Sequence, residues 1–239
     1  MPTRFPTDAI LLAAGLGTRM RPLTDTIPKP LIRVAGLSLL ERVAAAAHAE
    51  GVRGFVVNAH YFPDRIQAAI DALPALLPGA RFALSDERDE RLETGGGVKK
   101  AMRLTKADPI FVANTDSFYG PGDRPLARLA ERHFAAPAAL TLLCAHPARA
   151  VGFRRSHDFC LDPNGVITRD TGLPVIYAGC ALIGRAAFDG TPQGAFSLNH
   201  LFEAALERGH LNGVLLDAPW YHVGDPPALA EVERHLREA

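Results

Sequence analysis

The residues with the clearest chemical potential lie near the start of the chain. The apolar run Ala9-Ile10-Leu11-Leu12-Ala13-Ala14 empties into Gly15-Leu16-Gly17-Thr18-Arg19-Met20-Arg21-Pro22, and Pro28-Lys29-Pro30 follows. Glycines remove the Cβ atoms that would hold an anion away from the backbone, so successive N–H groups can point into one concavity. Arg19, Arg21 and Lys29 add fixed positive charge. A buried strand feeding such a loop predicts a phosphate cradle.

Two commoner phosphate loops are excluded. The P-loop closes on Gly-Lys-Ser/Thr, and the dinucleotide fingerprint needs a third glycine opening a helix; Met20 and Arg21-Pro22 stand in those places. Pro22, Pro28 and Pro30 lack N–H donors and disfavour a helix directly after the loop. The stretch therefore reads as a long, stiff loop over a ligand, the alternative being a βα turn whose basic residues face solvent.

A carboxylate complements this cradle. Asp116 follows the apolar run Pro109-Ile110-Phe111-Val112-Ala113 through Asn114-Thr115, which places it at a sheet edge facing the expected phosphates. Two anions meeting in a cleft need a cation between them, and Mg²⁺ held by one or two carboxylates, phosphate oxygens and water is the ordinary solution. The competing reading of Asp116 is a helix N-cap.

The elements that position these residues follow from the pattern. Ser38-Leu39-Leu40-Glu41 has capping-box spacing and opens an alanine-rich helix that stops near Gly51. Phe55-Val56-Val57 reads as a buried strand, Pro63 to about Ile70 as a helix and Arg81 to Leu84 as a strand. Gly95-Gly96-Gly97 precedes a short helix carrying Lys99 and Lys100. Strands alternating with helices call for a parallel sheet covered on both faces, so the fold class is α/β, doubly wound, mostly parallel but mixed, in a single Rossmann-like domain over 1–239. In the second half Ala138 to Ala145, Val166-Ile167, Val175 to Ile183 and Asn212 to Leu216 are strand-like. One clear helix lies there between Leu198 and Arg208, and a final amphipathic helix runs from Pro226 to about Arg237. Ligands of open α/β sheets sit outside the carboxyl ends of the strands, where the first loop, Asn58-Ala59-His60, the Gly95 to Gly97 turn and Asn114-Thr115-Asp116 all fall.

Composition narrows the function classes. The 239 residues carry 26 Lys and Arg against 26 Asp and Glu, and this balance argues against a nucleic-acid-binding surface. Cys144, Cys160 and Cys180 are odd in number and far apart, so neither a disulfide framework nor a zinc site is indicated. The first residues lead into the first strand without the apolar core of a signal peptide, and no stretch is apolar enough to span a bilayer. A cytoplasmic enzyme with no membrane partner is expected.

Leu11 through Pro22, Pro28-Lys29-Pro30, Leu92-Glu93-Thr94-Gly95-Gly96-Gly97, Asn114-Thr115-Asp116 and Trp220-Tyr221-His222-Val223-Gly224 together resemble the ordered motifs of the sugar-1-phosphate nucleotidyltransferases. Within that family the short length, the Leu-Glu-Thr-Gly-Gly-Gly form and Gly194-Ala195-Phe196-Ser197-Leu198 are similar to the N-acetylmuramate-1-phosphate uridylyltransferases of peptidoglycan recycling. The guanylyltransferases for mannose or heptose phosphates are a close alternative. The resemblance implies a nucleoside triphosphate and a sugar-1-phosphate as partners, with about 1–116 as the nucleotide-binding half and about 117–239 as the sugar-phosphate half. It implies that Leu12, Ala13, Ala14, Gly15, Gly17 and Thr18 wrap the triphosphate and that Arg19 neutralises the departing pyrophosphate. Lys29 would reach the transferring phosphates and Asp116 would hold the metal. Asn58, Glu93, Gly95, Gly96 and Asn114 would line the nucleotide, while Tyr177, Gly179, Asn199 and Trp220 would line the sugar, although Trp220 also reads as core. A sugar-1-phosphate is already an anionic nucleophile, so its attack needs alignment and charge neutralisation rather than a general base.

One position departs from the pattern. The family usually presents a second metal-binding aspartate in Trp-x-Asp-Val-Gly, and this chain has His222 there. Imidazole suits Mn²⁺ or Co²⁺ better than Mg²⁺. Three arrangements follow: His222 ligates a softer metal or bonds its water, Asp225 reaches in, or Asp116 alone anchors the ion. His222 as a simple loop tie, and the chain as a non-catalytic nucleotide-binding regulator, are the bland counterparts. Arg154 and Arg155 could add charge on the sugar side or be solvated, and Glu231 with Arg234 reads as a solvated helix face. The missing β-helix of larger relatives argues against their trimeric assembly and leaves a monomer or small homo-oligomer.

Overall fold

The structure is a computed structural model that describes residues 5–135 and 140–238. Its centre is a mixed sheet of nine strands among the described residues. Asp8–Leu12 lies in the middle, pairing in parallel with Gly54–Ala59 on one side and Ile110–Asn114 on the other; Arg81–Asp86 extends the parallel part. Leu173–Ile183 joins antiparallel to Ile110–Asn114 and to Leu140–Ala145, and Leu211–Leu215 returns parallel to the latter. The expected strand start at Ala138 and the residues before Phe5 lie outside the described residues.

Period-2 alternation divides the apolar side chains between two cores. Leu11, Val57 and Phe111 face one cluster, Ile10, Val56 and Val112 the other, and all are buried. A strand buried on both faces reads as a continuous apolar run, which is why Ala9 to Ala14 carries no polar residue. The helix Leu39–Ala49 begins as its spacing predicts: the Glu41 N–H donates to Ser38 Oγ at 3.1 Å and the Ser38 N–H to Glu41 Oε2 at 2.6 Å. Such a cap contributes about 1 kcal/mol.

Three local readings are corrected. The glycines 95 to 97 lie inside the helix Glu93–Ala101 rather than before it, because this helix packs so closely that side chains have no room. The helix after Pro63 continues to Leu76 with Pro74 inside it. A further helix, Pro125–Ala135, stands in the second half. Its first-turn N–H groups of Leu126 and Ala127 donate to Glu50 Oε2 at 3.0 and 3.2 Å, a cap supplied from 76 residues away. The proline-rich loop contains no long helix, only single 3₁₀ turns at Thr18–Met20, Leu23–Asp25 and Lys29–Leu31.

Candidate active site

The carboxyl ends of the parallel strands open into a crevice of about 630 Å³, lined among others by Leu12 to Arg19, Lys29, Asn58, Glu93, Asn114 and Asp116. That volume is ordinary for a small-molecule site. The loop forming one wall is pinned from beneath. Gly17 takes φ +63°, and an added Cβ would stand 2.9 Å from Thr24 Cγ2. The buried Thr24 donates its hydroxyl proton to the Gly17 carbonyl at 2.8 Å, and the Tyr61 hydroxyl donates to the Thr24 carbonyl at 2.9 Å. The Thr115 hydroxyl donates to the Leu12 carbonyl at 2.7 Å, fixing two strand ends together.

Asn58 is buried and fully engaged. Its Oδ1 accepts from the Ala13 N–H and its Nδ2 donates to Glu87 Oε1, each at 2.8 Å. Burial pushes the Glu87 carboxyl above the usual range despite Asn58, Lys100 and His60 nearby. Asn58 thus supports the first loop from below, and Gly97 is required there because a Cβ would approach Asn58 Nδ2 to 2.6 Å.

Opposite the loop, Lys29 Nζ donates to Asp116 Oδ2 at 2.7 Å, with their side chains 13% and 26% exposed. Burial opposes ionisation of Asp116, but Lys29, His222 and Arg19 outweigh it and hold its carboxyl below the usual value. His222 comes from Trp220–His222, which pairs antiparallel with Ser117–Tyr119, and the Val223 N–H donates to the Asp116 carbonyl at 2.8 Å. Its Nε2 lies 3.9 Å from Asp116 Oδ2. Burial lowers the imidazole's proton affinity, and the Asp116 charge does not restore it. Asp116 precedes a strand, so its N-cap reading falls. Asp225 is the residue that caps a helix, accepting from the Ala228 N–H at 2.8 Å.

The remaining expected residues separate from the crevice wall. The Gly95 and Gly96 N–H groups donate to the Phe196 carbonyl at 2.7 and 3.1 Å, and a Cβ on Gly96 would stand 2.2 Å from the Gly194 carbonyl oxygen. They are packing glycines whose amides are already used. Trp220 is core, with Nε1 donating to the Ala178 carbonyl at 2.9 Å. Gly179, at φ +79°, lies against Ser117 and Asn114. Tyr177 is half-buried beside Phe202, and Asn199 is exposed at the start of the helix Asn199–Glu207. Arg21 pairs with Asp25 on the surface. Arg154 and Arg155 are exposed, the first 3.8 Å from Glu231 and the second 3.0 Å from Asp158. Glu231 thus faces Arg154 rather than only its own helix.

Sequence reasoning missed Arg91, Thr94, Ser197 and Gly224 as lining residues. Ser197 sits inside the Gly194 to Leu198 segment and could have been found there. Arg91 has no local signal, since bonds to a distant segment, among them the Phe196 N–H donating to the Leu92 carbonyl at 3.1 Å, bring its loop to the crevice.

Comparison with known proteins agrees with this geometry. Residues 8–153 match the family described as nucleotidyl transferase. An N-acetylmuramate alpha-1-phosphate uridylyltransferase of Caulobacter vibrioides is 37% identical over 99% of this chain and 100% of its own. One from Neisseria meningitidis is 30% identical over 94% and 96%. The crystal structure of HddC from Yersinia pseudotuberculosis complexed with GMP-PN shares the fold, with a TM-score of 0.74 and 20% identity over 96% of this chain and 99% of that one. With an end-to-end relative and a cation-lined crevice at the strand ends, the chain belongs to the nucleotidyl transferase family, as a sugar-1-phosphate nucleotidyltransferase.

Proposed function

We propose that the protein transfers the uridylyl group of UTP to N-acetylmuramate 1-phosphate, releasing pyrophosphate and forming a nucleotide sugar for cell-wall recycling in the cytoplasm. The observation that carries this choice of substrates is the Caulobacter relative, which matches over nearly all of both chains. No helix among the described residues is long and apolar enough to cross a membrane.

The chemistry asks little of acid or base groups. A phosphate oxygen of the sugar-1-phosphate forms a bond to the α-phosphorus of UTP as the bond to the bridging oxygen of pyrophosphate breaks. Lys29, fixed against Asp116, neutralises the transferring phosphates, Arg19 receives the leaving pyrophosphate, and the N–H groups from Gly15 to Thr18 orient the triphosphate. A divalent cation fits the donor set: Asp116 Oδ1 makes no hydrogen bond among the described residues and would hold the ion together with substrate phosphate oxygens. When bound, that ion neutralises charge on the phosphates.

A panel of nucleoside triphosphates against several sugar phosphates, read by pyrophosphate release, tests the proposal. Turnover is expected with UTP and N-acetylmuramate 1-phosphate. Turnover confined to GTP with a mannose or heptose phosphate would overturn the substrates, and binding without turnover across Mg²⁺, Mn²⁺ and Co²⁺ would overturn catalysis.

A further inference from the structure

We propose that Arg91, Thr94 and Ser197 form a subsite for a carboxylate on the crevice wall, and that through it the protein selects a sugar 1-phosphate bearing a lactyl group. The inference rests on the substrates proposed above and specifies how the sugar is chosen.

The three residues come from two segments that the fold joins. The Leu198 N–H donates to Thr94 Oγ1 at 2.9 Å, and the Asn199 N–H donates to Ser197 Oγ at 3.2 Å. Both hydroxyl oxygens are thus held as acceptors by the first turn of the helix Asn199–Glu207 and the residue before it. Neither hydroxyl gives its own proton to a partner among the described residues. A hydroxyl has one proton to donate, and both residues line the crevice, so two donors are left for a ligand there. The bonds they receive polarise the hydroxyls and strengthen them as donors.

Arg91 adds the charge. The crevice is lined by three cationic residues, Arg19, Lys29 and Arg91. Lys29 is paired with Asp116, and Arg19 acts on the same carboxyl, so these two serve the phosphates. Arg91 is exposed and makes no ion pair or side-chain hydrogen bond among the described residues, even with Glu93 on the same wall. A guanidinium offers paired N–H donors that match a carboxylate. Together with two hydroxyl protons it makes a donor set suited to a group that only accepts, as an ionised carboxylate does. Uracil is a poorer fit, because it carries an N–H between its carbonyls. Once Arg19, Lys29 and the glycine loop hold the phosphates, the lactyl carboxylate is the one anion of the proposed substrates left to be matched. Glu93 repels an anion at this wall, which leaves Arg91 as the group that decides whether one binds.

Steady-state pyrophosphate release at saturating UTP tests the subsite with two sugars. One is N-acetylmuramate 1-phosphate, and the other is N-acetylglucosamine 1-phosphate, which has a hydroxyl where the first has its lactyl ether. The wild type should prefer the first in kcat/KM by about 10–100-fold, the effect of a hydrogen bond to a charged group. In Arg91→Gln that preference should fall about tenfold or more while the KM for UTP moves less than twofold, and in Ser197→Ala it should fall about 2–10-fold. A wild type indifferent to the lactyl group, an Arg91→Gln protein that keeps the preference, or a UTP KM that rises in step with its loss would overturn the subsite. Absence of turnover with either sugar counts against the functional reading instead. Equilibrium titration of N-acetylmuramate and N-acetylglucosamine then decides the subsite: tighter binding of the first that is lost in Arg91→Gln supports it, and equal binding overturns it.

Discussion

Replacing Asn58 with alanine should weaken the fold and the nucleotide site together. The substitution strips the Ala13 N–H of an acceptor at 2.8 Å and Glu87 Oε1 of a donor at 2.8 Å. Leaving a buried N–H unsatisfied costs about 1–3 kcal/mol, and losing a hydrogen bond to a charged group about 1.5–3 kcal/mol. Together these come to about 2.5–6 kcal/mol, a large part of the ~5–15 kcal/mol available to a folded domain. Ala13 begins the glycine loop, so the KM for the nucleoside triphosphate should rise as well. Urea unfolding followed by circular dichroism gives the first quantity and steady-state pyrophosphate release the second. Asn58→Asp sharpens the test by setting a second carboxylate against Glu87, whose own proton affinity burial already raises. Two such groups at contact share a proton, and both titrate higher folded than unfolded. Stability should therefore be greatest below the ordinary carboxylate range and be lost as pH rises through the raised folded value. A loss under about 0.5 kcal/mol in Asn58→Ala, or an Asn58→Asp protein whose stability ignores acid pH, would refute the reasoning.

Lys29→Met should lower kcat by about 10²–10³ while the protein stays folded, as seen by pyrophosphate release beside a thermal melt. It also removes the main cation holding Asp116 below its usual value, so the acid limb of the pH–rate profile should move to higher pH. Gly96→Ala drives a Cβ toward the Gly194 carbonyl and should cost about 1–3 kcal/mol in the melt, more if the Phe196 contacts part. Glu93→Gly should act the other way: Glu93 has φ +56°, and glycine there relieves about 1 kcal/mol of strain, raising Tm.

The central strands and the cradle were legible because local chemistry announces them. A both-sides-buried strand has to be apolar throughout, and a loop that offers backbone to an anion has to be glycine-rich. Lys29 and Asp116 stand 87 residues apart, and only the ordered motifs implied that they meet. What sequence hid depends on distant partners. Pro125–Ala135 went unseen since its cap is Glu50, which has no spacing signal in its own neighbourhood. Gly95 and Gly96 looked like ligand contacts because glycine permits close approach to anything, and here the approaching group is the chain's own residues 194 to 196. Asp225 and His222 are three residues apart, and local pattern does not say which one turns toward Asp116.

The seam between the start of the Glu93–Ala101 helix and residues 194 to 198 also sets an order of assembly. Phe196 bonds to Leu92, Gly95 and Gly96, and the Leu198 N–H donates to Thr94 Oγ1 at 2.9 Å. On the ribosome, every residue of the glycine loop, Asn58 and Asp116 has left the exit tunnel long before Phe196 is made. The nascent chain thus carries a cradle with one wall still open, and it gains a closed nucleotide crevice only after residues 194 to 198 have emerged.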